Sequence, residues 1–470
     1  MNLDFQQAEN HLNAEFDPNV IALYEHHSSF LKAIIYQTDR SYQAFQEKTQ
    51  WASEYIDARE RNKFSSAFLA EIYLERALVY GMKGENLAAG NALVKCHRQL
   101  KLQRRRYPHI HFQYRISGLL KIAMSAVPNS YKWITDLIGL KGDFENGMRE
   151  LKLGAEHGEF LRLETQLGLY YIERNLMMNP YVAGARIDSL IELHPGVLLL
   201  AYTKVNNALD LHDSRAARKA MLNWCGTAAP DPVPRFPFMN YAAGRIFLYD
   251  AQYELAIQQF NTFLRFNKGR LYRQDALFKL ALAQWFAERK NDAAVTFGAL
   301  LQERASGFDE DDYAYETAAR YLKNGISAIE AQLLEARFAF DGGHFGTCEE
   351  VLEQLRFMEF SMSRDQRTEL HYRFGRLYQH TGLPAKAKKH YALATKFVTR
   401  RAEWMQAYAM LYTGQIFEEA ADWHEARRYY RAALEYDDYP YQNGLEQRAH
   451  AGLARLGKLE YEEVRPEPGN

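Results

Sequence analysis

Residues Thr368–Thr399, TELHYRFGRLYQHTGLPAKAKKHYALATKFVT, read as two helices joined by a tight turn. Gly375 and Tyr378 fall on the first helix, Gly382 and Pro384 mark the turn, and Ala387, Tyr391 and Ala394 recur at helical spacing on the second. Small residues at Gly375 and Ala387 let two antiparallel backbones approach, and the rings of Tyr378 and Tyr391 fill the space beside them. A lone hairpin of this kind leaves an apolar face uncovered, so the stretch predicts further hairpins stacked against it.

Those neighbours can be read from the chain. Stepping 39 positions on, Gly414, Phe417, Ala426, Tyr430 and Ala433 repeat Gly375, Tyr378, Ala387, Tyr391 and Ala394 in order. Upstream, Gly244, Phe247, Ala256 and Phe260 carry the same spacing, and Ala281, Ala293 and Phe297 give a thinner copy. Cys348 and Leu352 support a degenerate unit over residues 329–357, and a last helix around Gly452 would close the stack. The pattern is that of tetratricopeptide-repeat (TPR) hairpins. It predicts an all-α fold, a right-handed superhelical α-solenoid of TPR-like helical hairpins.

Four regions follow. Residues 1–125 form an N-terminal helical region, with a short helix over 4–14 and an early hairpin of Ser65–Tyr80 and Glu85–Leu100 around the turn Gly81–Gly84. Residues 126–230 form a helical-hairpin middle region, and 236–460 the regular array with its capping helix. Residues 461–470 read as a mobile tail. The run Cys225–Pro237, CGTAAPDPVPRFP, holds four prolines and reads as a stiff connector before the array.

In the middle region, VPNSYKWITDLIGLKGDFENGMRELKLGAEHG sets Trp133, Leu137 and Ile138 against Phe144, Met148 and Leu151 across a glycine-bounded turn. At these residues, and at Gly244-Arg245-Ile246 and Gly375-Arg376-Leu377, the chain resembles the tetratricopeptide repeat protein 39 family over roughly residues 60–460. The resemblance implies an all-helical scaffold, with some members linked to lipid handling or organelle membranes. It brings no catalytic residues.

Composition narrows the function classes. With 47% hydrophobic and 25% charged residues the chain has ample material for a core, and its 31 Tyr and 27 Phe suit repeats that use aromatic knobs. A net charge of -1 and pI near 7.0 provide no global field for nucleic acid, so no nucleic-acid partner is expected. Three dispersed cysteines, Cys96, Cys225 and Cys348, argue against a disulfide framework. No uncharged run approaches the roughly 18 residues of a spanning helix. The opening MNLDFQQAEN lacks a secretory leader, and cytoplasmic residence is the expectation, although a leader already removed would leave no trace.

No phosphate-binding glycine loop, nucleophile elbow, H-E-x-x-H or C-x-x-C motif occurs, so the chain is not expected to be an enzyme or to hold a cofactor. Lys101–Arg106, KLQRRR, reads as a solvated helix end rather than an anion patch. His109 and His111 lack a third ligand for a metal. Phe308–Asp312, FDEDD, reads as the cap of a helix starting near Tyr313, since calcium would need a glycine-turned loop with more oxygens. Binding is the stronger expectation. With Gly244 and Gly375 as the eighth position of their units, positions five, nine and thirteen are Tyr241, Arg245 and Tyr249, then Tyr372, Arg376 and His380; the intervening unit offers Phe278. A planar guanidinium beside rigid amphipathic rings suits a protein or peptide partner on the concave face, making the chain a non-catalytic scaffold or adaptor. Against this stands a simpler role, in which both arginines pair with acids of adjacent hairpins. A lipid- or membrane-associated adaptor with peripheral lipid contact is the alternative function.

Overall fold

A computed structural model describes residues 16–125, 142–177, 179–225, 236–303, 309–399 and 401–463. The expected helix over 4–14, the Trp133–Ile138 half of the middle hairpin, most of the proline connector and the chain beyond Glu463 lie outside these residues. The described residues form 22 α-helices and one 3-10 turn, and no strand occurs among them.

Two compact units divide the chain. The first contains α1 (Pro18–Tyr36), α2 (Asp39–Asp57), α3 (Ser65–Met82), α4 (Asn86–Arg106), α5 (Phe112–Ser125), α6 (Phe144–His157), α7 (Arg162–Asn175) and all but the first residue of α8 (Pro180–Leu193). The second begins with α9 (Leu198–Asp210) and α10 (Ser214–Cys225), ahead of the array expected from 236. It continues through α11 (Phe238–Tyr249), α12 (Tyr253–Phe266), α13 (Arg273–Phe286), α14 (Lys290–Leu300), α15 (Asp309–Asn324), α16 (Ala328–Gly342) and α17 (Phe345–Phe357). After a 3-10 turn at Glu359–Ser361 come α18 (Arg364–His380), α19 (Pro384–Ala394), α20 (Glu403–Glu419), α21 (Trp423–Ala433) and α22 (Gln442–Glu463).

Seven hairpins turn alike. A residue one or two positions past the first helix adopts a left-handed conformation: Gly84, His212, Ala251, Glu288, Gly343, Gly382 and Ala421, with φ between 56° and 82°. The following N–H then reaches back five residues, as in Gln252 to the Phe247 carbonyl (2.7 Å), Leu383 to Tyr378 (2.8 Å) and Asp422 to Phe417 (2.9 Å). This is the Schellman closure, which satisfies carbonyls that a helix end would leave open. Because the closure is identical, the residue six before its left-handed residue holds an equivalent place in each of these seven hairpins.

The seam between paired helices is a ring laid on a glycine. A Cβ added to Gly244 would come 2.6 Å from the Phe260 ring, one on Gly414 would come 2.8 Å from Tyr430, and one on Gly375 would overlap Tyr391. A Cβ on Gly452 of α22 would come 2.5 Å from the other edge of Tyr430, so the last helix packs closely on the ring of the final hairpin. In the first unit, α5 and α6 meet backbone to backbone instead: a Cβ on Gly118 would lie 2.7 Å from the Leu151 nitrogen, and one on Gly154 would lie 2.7 Å from that of Arg115.

The first unit also buries charge. Glu75 on α3 contacts His27 at 2.5 Å and His26 at 2.9 Å, while Arg115 on α5 holds Glu71 at 2.8 Å. Burial alone would push the His27 imidazole down, but the Glu75 and Glu164 carboxylates outweigh it and raise its pKa to about 10. For Glu75, burial is outweighed by the two histidines, and its pKa falls to about 2.

Three local readings gain detail. The acidic run before Tyr313 lies inside the helix it was expected to cap, since α15 starts at Asp309. Asp311 is buried and accepts the Asp275 N–H at 2.6 Å, tying α15 to the start of α13. At the end of α4, Arg104 pairs with Glu150 at 2.7 Å. His111 lies beside the His157 ring, and among the described residues no group of three His, Cys, Asp or Glu side chains is arranged to hold a metal.

Candidate functional site

The shared turn places Asn206, Arg245, Leu282, Arg337, Arg376 and Gln415 at the same position of successive hairpins in the second unit. In the fold, α16 packs beside α11 and the α9–α10 hairpin, so three of these guanidinium groups share a setting of tyrosine and phenylalanine rings.

Arg245 sits between the rings of Tyr241 and Tyr249, 5.9 Å from each centroid. It donates to the Asn206 side chain at 3.3 Å and to the Tyr249 hydroxyl at 3.4 Å, with Asp210 at 3.9 Å. Tyr241 itself is buried, stacked on Tyr272 with a centroid separation of 4.9 Å, and donates its hydroxyl to Asp275 at 2.5 Å. Burial and the Asp275 carboxylate hold that hydroxyl far above the ordinary tyrosine range. Tyr249 is buried against Phe338 of α16.

Arg376 is held differently. It donates to the Tyr412 hydroxyl at 2.9 Å and to His212 Nε2 at 3.2 Å, and lies 4.5 Å from the Tyr412 centroid and 5.2 Å from that of Phe340. Accepting that bond requires neutral imidazole with its proton on Nδ1, the side facing Asp341 at 3.6 Å. Burial, then the Arg376 charge, pushes the His212 pKa down to about 3, consistent with that state. His380 is exposed and packs against Phe345 with centroids 4.6 Å apart. Arg376 makes no ion pair among the described residues, whereas Arg245 has Asp210 nearby and Arg337 has Asp341 at 3.6 Å.

Tyr372 is buried under Trp404, whose ring leads through Tyr313 to Phe278. The fold therefore gathers Arg376, His380 and Tyr372 on one side and Tyr241, Arg245 and Tyr249 on the other, with α16 between them. Phe278 joins only through the ring chain. Arg337 was not singled out from sequence, because its hairpin carries Ala336 and Leu333 where the Arg245 and Arg376 hairpins carry glycine and tyrosine. Counting back from the Gly343 turn would have found it.

No helix among the described residues is long and apolar enough to cross a membrane. No family model and no curated protein matches the chain. Among solved structures, the chain is similar to the TPR domain of P58(IPK), at 12% identity over 84% of this chain and 99% of that one, with a TM-score of 0.24. It is also similar to a monomeric IFIT1 mutant solved with Gppp-AAAA, at 12% identity, 92% and 94% coverage and a TM-score of 0.31. Yeast Tom70 gives 12% identity, 96% and 90% coverage and a TM-score of 0.28.

Proposed function

We propose that the chain is a non-catalytic scaffold that binds a carboxylate-bearing protein or peptide segment on the face formed by the first helices of the second unit. One observation carries this reading: Arg376 is a half-buried residue whose guanidinium is framed by Tyr412, Phe340 and His212, with no carboxylate partner among the described residues. A planar cation oriented by neutral groups keeps donors for an incoming carboxylate, and the surrounding rings supply contact area at small entropic cost. Arg245, with Asp210 and Asn206 beside it, serves mainly to join α11 to α9.

Peptide arrays carrying free C-terminal carboxylates, with amidated copies as controls, test this on the full chain. Carboxylate-dependent binding should fall about tenfold or more in Arg376→Gln. If no free-carboxylate peptide binds, or Arg376→Gln binds as well as wild type, the reading is overturned.

A second reading rests on a separate observation. Phe357 and Phe360, at the end of α17 and in the following 3-10 turn, are 82% and 96% exposed. Two bare rings on one turn suit insertion into a lipid interface, in keeping with the lipid association implied by the tetratricopeptide repeat protein 39 resemblance. Vesicle flotation should then be lost in Phe357→Ser with Phe360→Ser; wild type that stays at the bottom of the gradient removes this alternative.

A further inference from the structure

The second unit carries an open pocket of about 720 Å³ remote in chemistry from the arginine face. Its walls come from the first turn of α13, the end of α14, the first turns of α15 and the segment leading into α22. Four carboxylates line it, Glu303, Asp312, Glu316 and Asp438. Arg273 neutralises Glu303 at 2.8 Å, but the other three are exposed and make no ion pair among the described residues.

An acidic rim alone would be an ordinary solvated surface. Two buried polar groups in the same wall distinguish this one. Gln274 is 2% exposed and gives its amide N–H₂ to the Glu303 carbonyl at 3.4 Å, leaving Oε1 with no hydrogen-bond partner. Tyr439 is 9% exposed, and its hydroxyl is likewise unpartnered. A buried acceptor without a donor costs about 1–3 kcal/mol, so such groups persist where something else satisfies them. The wall thus offers oxygens in excess: three unpaired carboxylates, an amide oxygen and a phenol.

We propose that this cavity binds an extended organic cation through its N–H groups, either a polyamine or the lysine and arginine side chains of a basic peptide. Carboxylates at the rim supply the attraction, and Gln274 with Tyr439 receives an ammonium or guanidinium donor that has been stripped of water. A cavity of this size accommodates several linked groups rather than one ion. The lack of a cluster of three suitable ligands among the described residues favours an organic cation over a metal. The site is independent of the arginine face and selects the opposite charge.

Calorimetric titration of the full chain with spermidine and, separately, with an arginine- and lysine-containing hexapeptide tests the proposal. Micromolar to sub-millimolar binding of either probe is expected, and the better ligand identifies the source of the cation. Asp312→Asn with Glu316→Gln should weaken it about tenfold and reduce its salt dependence. Tyr439→Phe, which removes one oxygen, should weaken it about three- to tenfold with the melting temperature unchanged. If neither probe binds, the proposal fails. It also fails if the carboxylate variants weaken binding while both Tyr439→Phe and Gln274→Met leave it intact, since the attraction would then be surface charge without a built site.

Discussion

Nδ1 of His27 stands 2.5 Å from Oε1 of Glu75, with both side chains buried in the first unit. The His27 pKa is raised from 6.5 to about 10, so its contribution to stability is fully present below 6.5 and is lost as pH climbs towards 10. Glu75 is lowered from 4.5 to about 2, so its contribution is present above 4.5 and is lost as pH falls towards 2. Denaturant midpoints measured across pH should therefore give this pair a plateau between 4.5 and 6.5 with a decline on each side. His27→Ala should remove the alkaline decline and cost up to about 3–5 kcal/mol, because the buried Glu75 carboxylate keeps only His26 beside it, much of it recovered when Glu75 is also made apolar.

Glycines in this chain should divide sharply on substitution. Gly118→Ala drives a methyl into the backbone of α6, which cannot step aside, and should destabilise by about 1–3 kcal/mol or more. Gly244→Ala meets the Phe260 ring and should cost somewhat less, because a ring can shift. Gly168→Ala and Gly298→Ala lie within helices with no atom inside 4 Å, and each should stabilise by about 0.5–1 kcal/mol. Thermal melts of the four variants separate the two groups.

The hairpin turns provide a third check. Ala251 and Ala421 hold left-handed φ values of 56° and 57°, where a Cβ is strained. Replacing either with glycine should raise stability by about 0.5–1 kcal/mol, and Gly382→Ala should lower it by about 1–2 kcal/mol. Equal melting temperatures across this set would contradict the strain argument.

His212 should report on Arg376. Burial, followed by the Arg376 charge, lowers its pKa to about 3, so stability from this group is present above 6.5 and is lost as pH falls from 6.5 towards 3. Arg376→Met should move the His212 titration upward by a measurable amount in a histidine NMR spectrum, with no other histidine shifting as far. A fixed His212 resonance would mean the 3.2 Å contact is not formed in solution.

The hairpins were legible because their seam uses few residue types. Gly375 with Tyr391 and Gly414 with Tyr430 recur in register, and each pair is one ring on one glycine in the fold. Arg337 escaped because Ala336 and Leu333 pack without the marker residues. The buried His27–Glu75 pair escaped for another reason: sequence reading places acids on the solvent face of a helix, yet Glu71 and Glu75 are one turn apart on the face that α3 turns inward. Their placement in the apolar run SSAFLAEIYLERALVY was the available signal. The acidic cavity had none, because Gln274, Asp312 and Tyr439 come from three distant segments.

The repeated turn also bears on how the chain would respond to mechanical load. Hairpins closed by the same hydrogen bond, each leaning chiefly on its sequence neighbours, should peel away one at a time when the ends of the second unit are pulled apart. A repeat 39 residues long, as between Gly375 and Gly414, would release about 130 Å of contour per event. The force trace would then be a staircase of similar steps rather than a single rupture.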